Sequence, residues 1–182
     1  MKWLIASDIH GSAHWCDLLM KAFRSENADR LILLGDLLYR GPRNDLPLRY
    51  DPKAVIAMLN GLSDRILAVR GNCEAEVDQM VLKFPVLADY ALLPIGDRLV
   101  FITHGHLFNE GNLPPIKDGD ILLHGHTHIA ACIDHGSFLY MNPGSVSIPK
   151  PGQRHSYMTL QDGLFKWKDL EKDNSTYLDF KV

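Results

Sequence analysis

Five short apolar runs in this chain each end on residues of types that can bind metal ions. Trp3 to Ser7 leads into Asp8-Ile9-His10, Leu31 to Leu34 into Gly35-Asp36, Ile66 to Val69 into Gly71-Asn72, Leu99 to Thr103 into His104-Gly105-His106, and Ile121 to Leu123 into Gly125-His126-Thr127-His128. In an open α/β sheet the carboxyl ends of the strands deliver their last side chains to a common rim, so donors carried this way gather at one edge. Two carboxylates, an asparagine amide and several imidazoles meeting there suit a pair of borderline or hard divalent ions. Asp8 and His10 lie two apart, and in an extended segment such residues project to one face and reach one ion. The glycines before Asp36, Asn72 and His126 let the backbone bend close to the metals. Asp36 has two oxygens and can bridge two cations, whereas Asn72 offers one neutral carbonyl oxygen. Neutral imidazoles leave the cluster partly positive, as a phosphate substrate requires. Each motif alone is a common polar turn; together, on five strand ends, they read as a site.

Strand ends need a sheet and helices to hold them. Ser12 caps a helix whose apolar positions Trp15, Leu18, Leu19, Ala22 and Phe23 follow helical spacing. Asp51-Pro52 reads as the N-cap and first position of a second helix, with Val55, Ile56, Leu59 and Leu62 as its buried stripe and Gly61 at its end. A third helix is expected from about Glu74 to Lys83, stopped by Pro85. Further strands are expected near Tyr90 to Leu93, Leu99 to Thr103, Asp120 to Leu123, Ala130 to Asp134, Ser137 to Met141, Tyr157 to Leu160, Leu164 to Trp167 and Thr176 to Phe180. His135-Gly136 and Asp162-Gly163 mark turns between them. The expected architecture is α/β, with two packed sheets and helices on the outer faces.

The composition narrows the partners. With 182 residues and 46% apolar content, the chain buries one substantial core, so residues 1–182 read as a single domain. A formal net charge of -3 provides no overall field for a polyanion, which argues against stable nucleic-acid binding. Cys16, Cys73 and Cys132 form an odd set without paired spacing, as in a reducing compartment. Asp8 and His10 interrupt the first apolar run too early for a signal peptide, and no stretch reaches the ~18 apolar residues of a membrane span. A cytoplasmic protein without membrane contact is therefore expected, and self-association is left open.

Asp8-x-His10, Gly35-Asp36, Gly71-Asn72, His104-Gly105-His106 and Gly125-His126-x-His128 resemble, in order and spacing, the signature of the calcineurin-like metallophosphoesterases. Small bacterial phosphodiesterases of the YfcE type resemble the chain further in Gly41-Pro42-Arg43-Asn44, Arg70-Gly71-Asn72-Cys73, His104 to Phe108 and Asn142 to Pro149. The resemblance implies a four-layer αββα sandwich of two mixed β-sheets flanked by helices. It also implies that Asp8, His10, Asp36 and His128 hold one ion and that Asp36, Asn72, His104 and His126 hold the other, with Asp36 bridging. The implied reaction is hydrolysis of a small phosphodiester by hydroxide shared between the ions. A donor set of oxygen and nitrogen without thiolate favours Mn²⁺, ahead of Fe and Zn²⁺.

One position departs from the superfamily pattern, which has His after the Gly-Asn pair. Here it is Cys73, a thiol with a reference pKa of ~8.5 that donates protons poorly and carries no positive charge. Asp36, Asn72 and Cys73 are the residues expected to act at the reacting phosphate. Arg40, Arg43 and Asn44 follow Asp36 in a Gly-Pro loop and suit a substrate phosphate or sugar, with His106 lining the pocket beside them. His124, inside an apolar run, reads as a buried, satisfied histidine. His14, His135 and His155 read as surface residues, and Trp3, Trp15 and Trp167 as core or interface. Asn142 to Ser145 reads as a tight turn, to which the resemblance adds a supporting role behind the histidines. The alternative is a non-catalytic metal-binding scaffold like the retromer subunit of the same fold. Relatives of that subunit have lost the ligands that correspond to Asp36 and Asn72, both of which are present here.

Overall fold

A computed structural model describes all residues, 1–182. The first sheet is built around three parallel strands, β1 (Trp3–Ala6), β2 (Arg30–Leu33) and β3 (Ile66–Ala68). Their sequences are nearly continuous apolar runs because parallel strands are covered on both faces. Three antiparallel strands extend the sheet: β9 (Ser156–Gln161), β10 (Leu164–Asp169) and β11 (Ser175–Lys181), giving the order β11-β10-β9-β1-β2-β3. The second sheet contains β4 (Tyr90–Ile95), β5 (Arg98–Thr103), β6 (Ile121–Leu123), β7 (Ala130–Asp134) and β8 (Leu139–Pro143), in the order β4-β5-β6-β8-β7. Both sheets are mixed.

Side chains alternate between two cores across the first sheet. Leu4 and Ala6 face Trp15, Leu19 and Phe23 of α1 (Ala13–Ser25) and Val55 and Leu59 of α2 (Pro52–Asn60). Ile5 and Ile32 point the other way, against Val100, Ile102, Ile121, Leu123 and Met141 of the second sheet. Most of these side chains are fully buried, each worth roughly 1.5–3 kcal/mol relative to exposure. Trp167 of β10 lies between the sheets, and its Nε1 donates to the Asn142 carbonyl of β8 at 2.7 Å.

The caps form as expected: Ser12 Oγ accepts from Trp15 N and Asp51 Oδ1 accepts from Ala54 N. The third helix is shorter than expected. α3 covers only Glu76–Val81, because the Glu74 side chain turns inward and Ala75 is extended. At the other end Leu82, Phe84 and Val86 run out as buried residues against the first core.

The helices pack on the first sheet, and the outer face of the second is covered differently. There Phe101, Leu122, Phe138 and Tyr140 meet Phe108 and Ile116 from the segment between β5 and β6. Gly105, Gly111, Pro114, Pro115 and Gly119 keep that segment from forming a helix, so it forms the fourth layer as a loop. Tyr90 and Leu92 of β4 remain 50% exposed beside it. No helix is long and apolar enough to cross a membrane.

Candidate metal centre

The five donor turns leave β1, β2, β3, β5 and β6 at one edge and are stitched to one another by main-chain hydrogen bonds. Asp8 N donates to Gly35 O, His10 N to Asp36 O and Gly11 N to Leu37 O, while Gly125 N donates to His104 O. The Asp8 carbonyl accepts from both Ser145 Oγ and Ser147 Oγ at 3.0 Å. These bonds hold a strained backbone. Asp8, His10, Asp36, His126 and His128 all have positive φ, between 48° and 64°, a region costing on the order of 1–3 kcal/mol for each non-glycine residue. The Asp8-x-His10 segment is therefore a left-handed turn beyond the strand, not the extended stretch its i, i+2 spacing suggested. Gly35 also has positive φ. Gly71 and Gly125 are required by space instead: a Cβ would fall 2.2 Å from Asp36 Oδ1 at the first and 1.9 Å from Ser7 Oγ at the second.

The turns bring two groups of donor atoms together around Asp36. His10 Nε2 lies 3.5 Å from Asp8 Oδ1 and 3.6 Å from Asp36 Oδ2, and His128 Nε2 lies 3.1 Å from Asp8 Oδ1. On the other side His104 Nε2 lies 3.6 Å from Asp36 Oδ1 and 3.1 Å from both Asn72 Oδ1 and His126 Nδ1. The Asn72 amide nitrogen donates to Cys73 Sγ, which turns the carbonyl oxygen toward the cluster.

The tautomers are set from behind. Nδ1 of His10, His104 and His128 sits 2.7, 2.6 and 2.7 Å from the carbonyl oxygens of Tyr39, Leu34 and Ile148. A carbonyl only accepts, so each neutral ring carries its proton on Nδ1 and aims a lone pair from Nε2 into the site. The lone pairs of His10 and His128 then face each other at 3.4 Å, and Asp8 Oδ1 is buried without a hydrogen-bond partner. Such crowding of acceptors is repulsive unless cations or added protons lie among them, so the donor set fits divalent ions.

The electrostatics fit the same reading. Burial opposes the charge on Asp8, but the His10 and His128 rings beside it, in their protonated forms, outweigh it and hold the carboxyl well below its ordinary range. Burial also works against protonated His10, yet Asp8 and Asp36 hold its pKa above normal. His126 is pushed down, by burial and then by His104. Burial and Asp36 push the Cys73 thiol far up, so it stays protonated.

A cavity of about 350 Å³ opens onto the cluster, lined by Asp36, Gly41, Pro42, Arg43, Asn44, Asn72, Cys73, His126, His128 and Lys150. Arg40 is not part of its wall. The Arg40 guanidinium donates to the carbonyls of Asn44 and Gly41, and Asn44 Nδ2 donates back to Arg40 O. Arg40 thus braces the loop from which Arg43 projects. His106 stands beside the rings of His104 and His126 and outside the wall. His124 is buried, but its Nε2 has no partner. His155, expected at the surface, stacks on Trp15 at 3.5 Å. Ser145 is occupied with Asp8 O and the amides of Ser147 and Ile148.

Two contributors, Lys150 and Glu74, escaped the sequence reading. Lys150 reaches the cavity from beyond β8. Asn142, whose turn was expected behind the histidines, donates from Nδ2 to the Gly125 carbonyl, Thr127 Oγ1 and Tyr140 OH, which gives that turn a definite task. Most consequential is Glu74, read above only as the start of a helix. Its carboxylate accepts from Gly71 N at 2.6 Å, Asp36 N at 2.8 Å and Leu37 N at 2.7 Å, clamping the Asp36 turn to the Asn72 turn. Burial and the nearby Asp36 raise its pKa, while the three amides oppose the rise. The signal was an acidic residue two after Asn72, indistinguishable in sequence from a helix N-terminus. In Glu74→Gln an N–H group faces at least one of these amides. The variant should lose about 1–3 kcal/mol of stability and bind divalent ions more weakly. Denaturant unfolding and calorimetric ion titration measure the two effects, and unchanged ion affinity would refute the clamp.

The chain resembles known proteins in sequence and in fold. The calcineurin-like phosphoesterase superfamily domain matches residues 1–162. Phosphodiesterase YfcE of Escherichia coli K12 is 44% identical over 162 residues, 89% of this chain and 88% of that one. Its solved structure, described as that of a phosphoesterase, superposes with a TM-score of 0.95 at 41% identity and covers 100% of both chains. The probable metallophosphoesterase YsnB of Bacillus subtilis is 29% identical over 88% of this chain and 83% of its own. Vps29 of Entamoeba histolytica, solved in complex with zinc, shares the fold at 20% identity and a TM-score of 0.62, covering 100% of this chain and 98% of that one. The chain belongs to the calcineurin-like phosphoesterase superfamily.

Proposed function

We propose that the protein is a phosphodiesterase that hydrolyses small phosphodiesters with two divalent ions bridged by Asp36, Mn²⁺ being the first choice and Fe or Zn²⁺ the others. The observation that carries this is the division of the Asp36 carboxylate, whose Oδ2 faces His10 and whose Oδ1 faces His104. Asp8, His10, Asp36 and His128 would hold one ion, and Asp36, Asn72, His104 and His126 the other. When bound, the ions supply activated water and Lewis-acid contact to the phosphate oxygens.

The chain's own groups do the rest. The carbonyls of Tyr39, Leu34 and Ile148 keep three imidazoles in the donor tautomer. Arg43 and Lys150 place cationic side chains at the cavity wall for non-reacting phosphate oxygens or another anionic substituent. Cys73 fills the position from which a histidine would protonate a leaving group, and its thiol, held far above its usual pKa, neither donates readily nor adds positive charge. Metal retention without turnover on any phosphoester would favour the scaffold reading instead.

Asp36→Asn should abolish turnover more completely than any other single ligand change, by a factor of at least about 10³ if both ions are displaced. Retention of two ions by elemental analysis together with near-normal turnover would refute the bridge.

Aryl phosphodiesters, with good leaving groups, should exceed alkyl phosphomonoesters in kcat/KM by at least about tenfold, because no acid assists departure. Cys73→His should raise the rates for poorer leaving groups. Equal kcat/KM for the two classes in the parent, or no change in the variant, would refute this role for position 73.

The pH dependence follows from the histidines. Burial lowers the pKa of His106, His124, His126 and His155, so below about pH 6.5 the unfolded chain binds more protons at these positions than the folded one. Their contribution is present above that pH and is lost as the pH falls. His10, raised, acts oppositely: its contribution is present in acid and disappears as the pH rises through its folded value. Four against one gives a net loss toward acid. Chelator-treated protein should melt at a lower temperature at about pH 5.5 than at about pH 7.5, and bound metal and turnover should disappear together below about pH 6. Full metal occupancy with lost turnover in acid would assign that limb to a catalytic protonation instead. The raised Cys73 pKa makes its deprotonation a poor source of any alkaline limb.

A further inference from the structure

We infer that the outer face of β9, β10 and β11 carries a second, metal-independent binding site for a compact soluble oligophosphate of the pyrophosphate type. The site exists because the helices stop short. α1 and α2 cover β1 to β3, while the wing formed by β9 to β11 extends past them, leaving a step between the last turn of α1 and the bare sheet. A cavity of about 240 Å³ lies at this step, with Lys2, Lys166, Lys168 and Lys181 in its wall against two carboxylates, Glu26 and Asp162. Four of the chain's ten lysines thus converge in a protein of net charge -3, and the charge there is local, not a property of the whole surface.

The floor is built, not merely exposed. Tyr157 is fully buried, and its hydroxyl donates to Glu26, whose carboxylate also takes the ammonium groups of Lys2 and Lys168. Each of those lysines spends one N–H on Glu26 and retains two. Lys166 and Lys181 make no ion pair: Lys166 lies opposite Asp179 in the strand register without reaching it, and Lys181 lies opposite Leu164. Thr159 is only 4% exposed, and its hydroxyl, like the Gln161 amide, faces the cavity without a protein partner. Ammonium and hydroxyl donors without acceptors, arranged around a concavity, match phosphoryl oxygens.

Size and flanking charge select the class of ligand. The cavity is smaller than the ~300–1,000 Å³ of a drug-sized pocket. Asp162 at the edge of the wall and Asp179 opposite Lys166 limit the cationic surface to a small area, too small for an extended polyanion or a charged bilayer, leaving a short oligophosphate as the best match. Lys2, Gln161 and Lys181 lie toward the amino end of β1, at the opposite end of the sheet from the donor turns, so occupancy does not compete with substrate.

The test is titration of pyrophosphate into the chelator-treated full chain, followed through backbone amide shifts. Saturable shifts are expected in residues 159–168 and 179–182, with Kd at least tenfold weaker in the Lys166→Gln/Lys181→Gln double variant. That variant should keep parental turnover on an aryl phosphodiester. Shifts confined to the donor turns, no saturation, or equal affinity in the double variant would overturn the proposal. Tighter binding of a single-stranded oligonucleotide or of anionic phospholipid vesicles through the same residues would overturn the assignment to a compact ligand.

Discussion

Electron-pair acceptors are forced together around Asp36, and most of the surrounding structure exists to keep them there. Three imidazoles have their protons drawn to the far nitrogen by main-chain carbonyls, which leaves lone pairs facing lone pairs and carboxylate oxygens in a buried space. Without cations such an arrangement relaxes by taking up protons or moving apart. The fold resists movement by bonding each donor turn to its neighbours, so binding energy is available for ions instead of for assembling the site. The strain at five positive-φ donors is one expression of this constraint, and the missing Cβ atoms of Gly71 and Gly125 are another.

Glu74 gives the same constraint an electrostatic form. A buried carboxylate close to the Asp36 carboxylate is unfavourable by itself, yet three main-chain amides hold it there. The turns carrying Asp36 and Asn72 are therefore joined through one carboxylate. Ser145 and Ser147 serve Asp8 in a similar way by holding its carbonyl, and through them the chain after β8 is tied to the turn after β1. The phosphoesterase site is supported from both sheets, and its rigidity depends on their packing across Ile5, Ile32, Val100 and Met141.

The cavity beyond the donors has a different character. Arg40 is committed to bracing its loop, whereas Arg43 and Lys150 face the opening, and Cys73 contributes a thiol that burial and neighbouring acids keep neutral. Cations at the wall and a neutral thiol beside the donor cluster accord with the proposed diester chemistry, in which the leaving group departs unaided. The opposite end of the first sheet has cationic character of its own because the helical layer ends before the sheet does.

Much of this was legible in the residue order. The donors Asp8, His10, Asp36, Asn72, His104, His126 and His128 stand where apolar runs end, and a strand's end is where a side chain can be both fixed and accessible. The caps at Ser12 and Asp51 and the alternation of the strands were equally local, because they depend on neighbours within a few residues. What remained hidden was everything decided between distant segments. The role of Glu74 depends on amides 37 and 38 residues away, and Lys150 reaches the site from beyond β8. Tertiary packing also turned Asp8-x-His10 from an extended pair into a left-handed turn, replaced a covering helix with the aromatic loop around Phe108, and moved His155 from the surface onto Trp15. Residue types and spacing determine which atoms can donate to a metal. Only the closing of two sheets on each other decides which main-chain groups hold those atoms, because hydrogen bonds between distant turns leave no periodicity in the sequence.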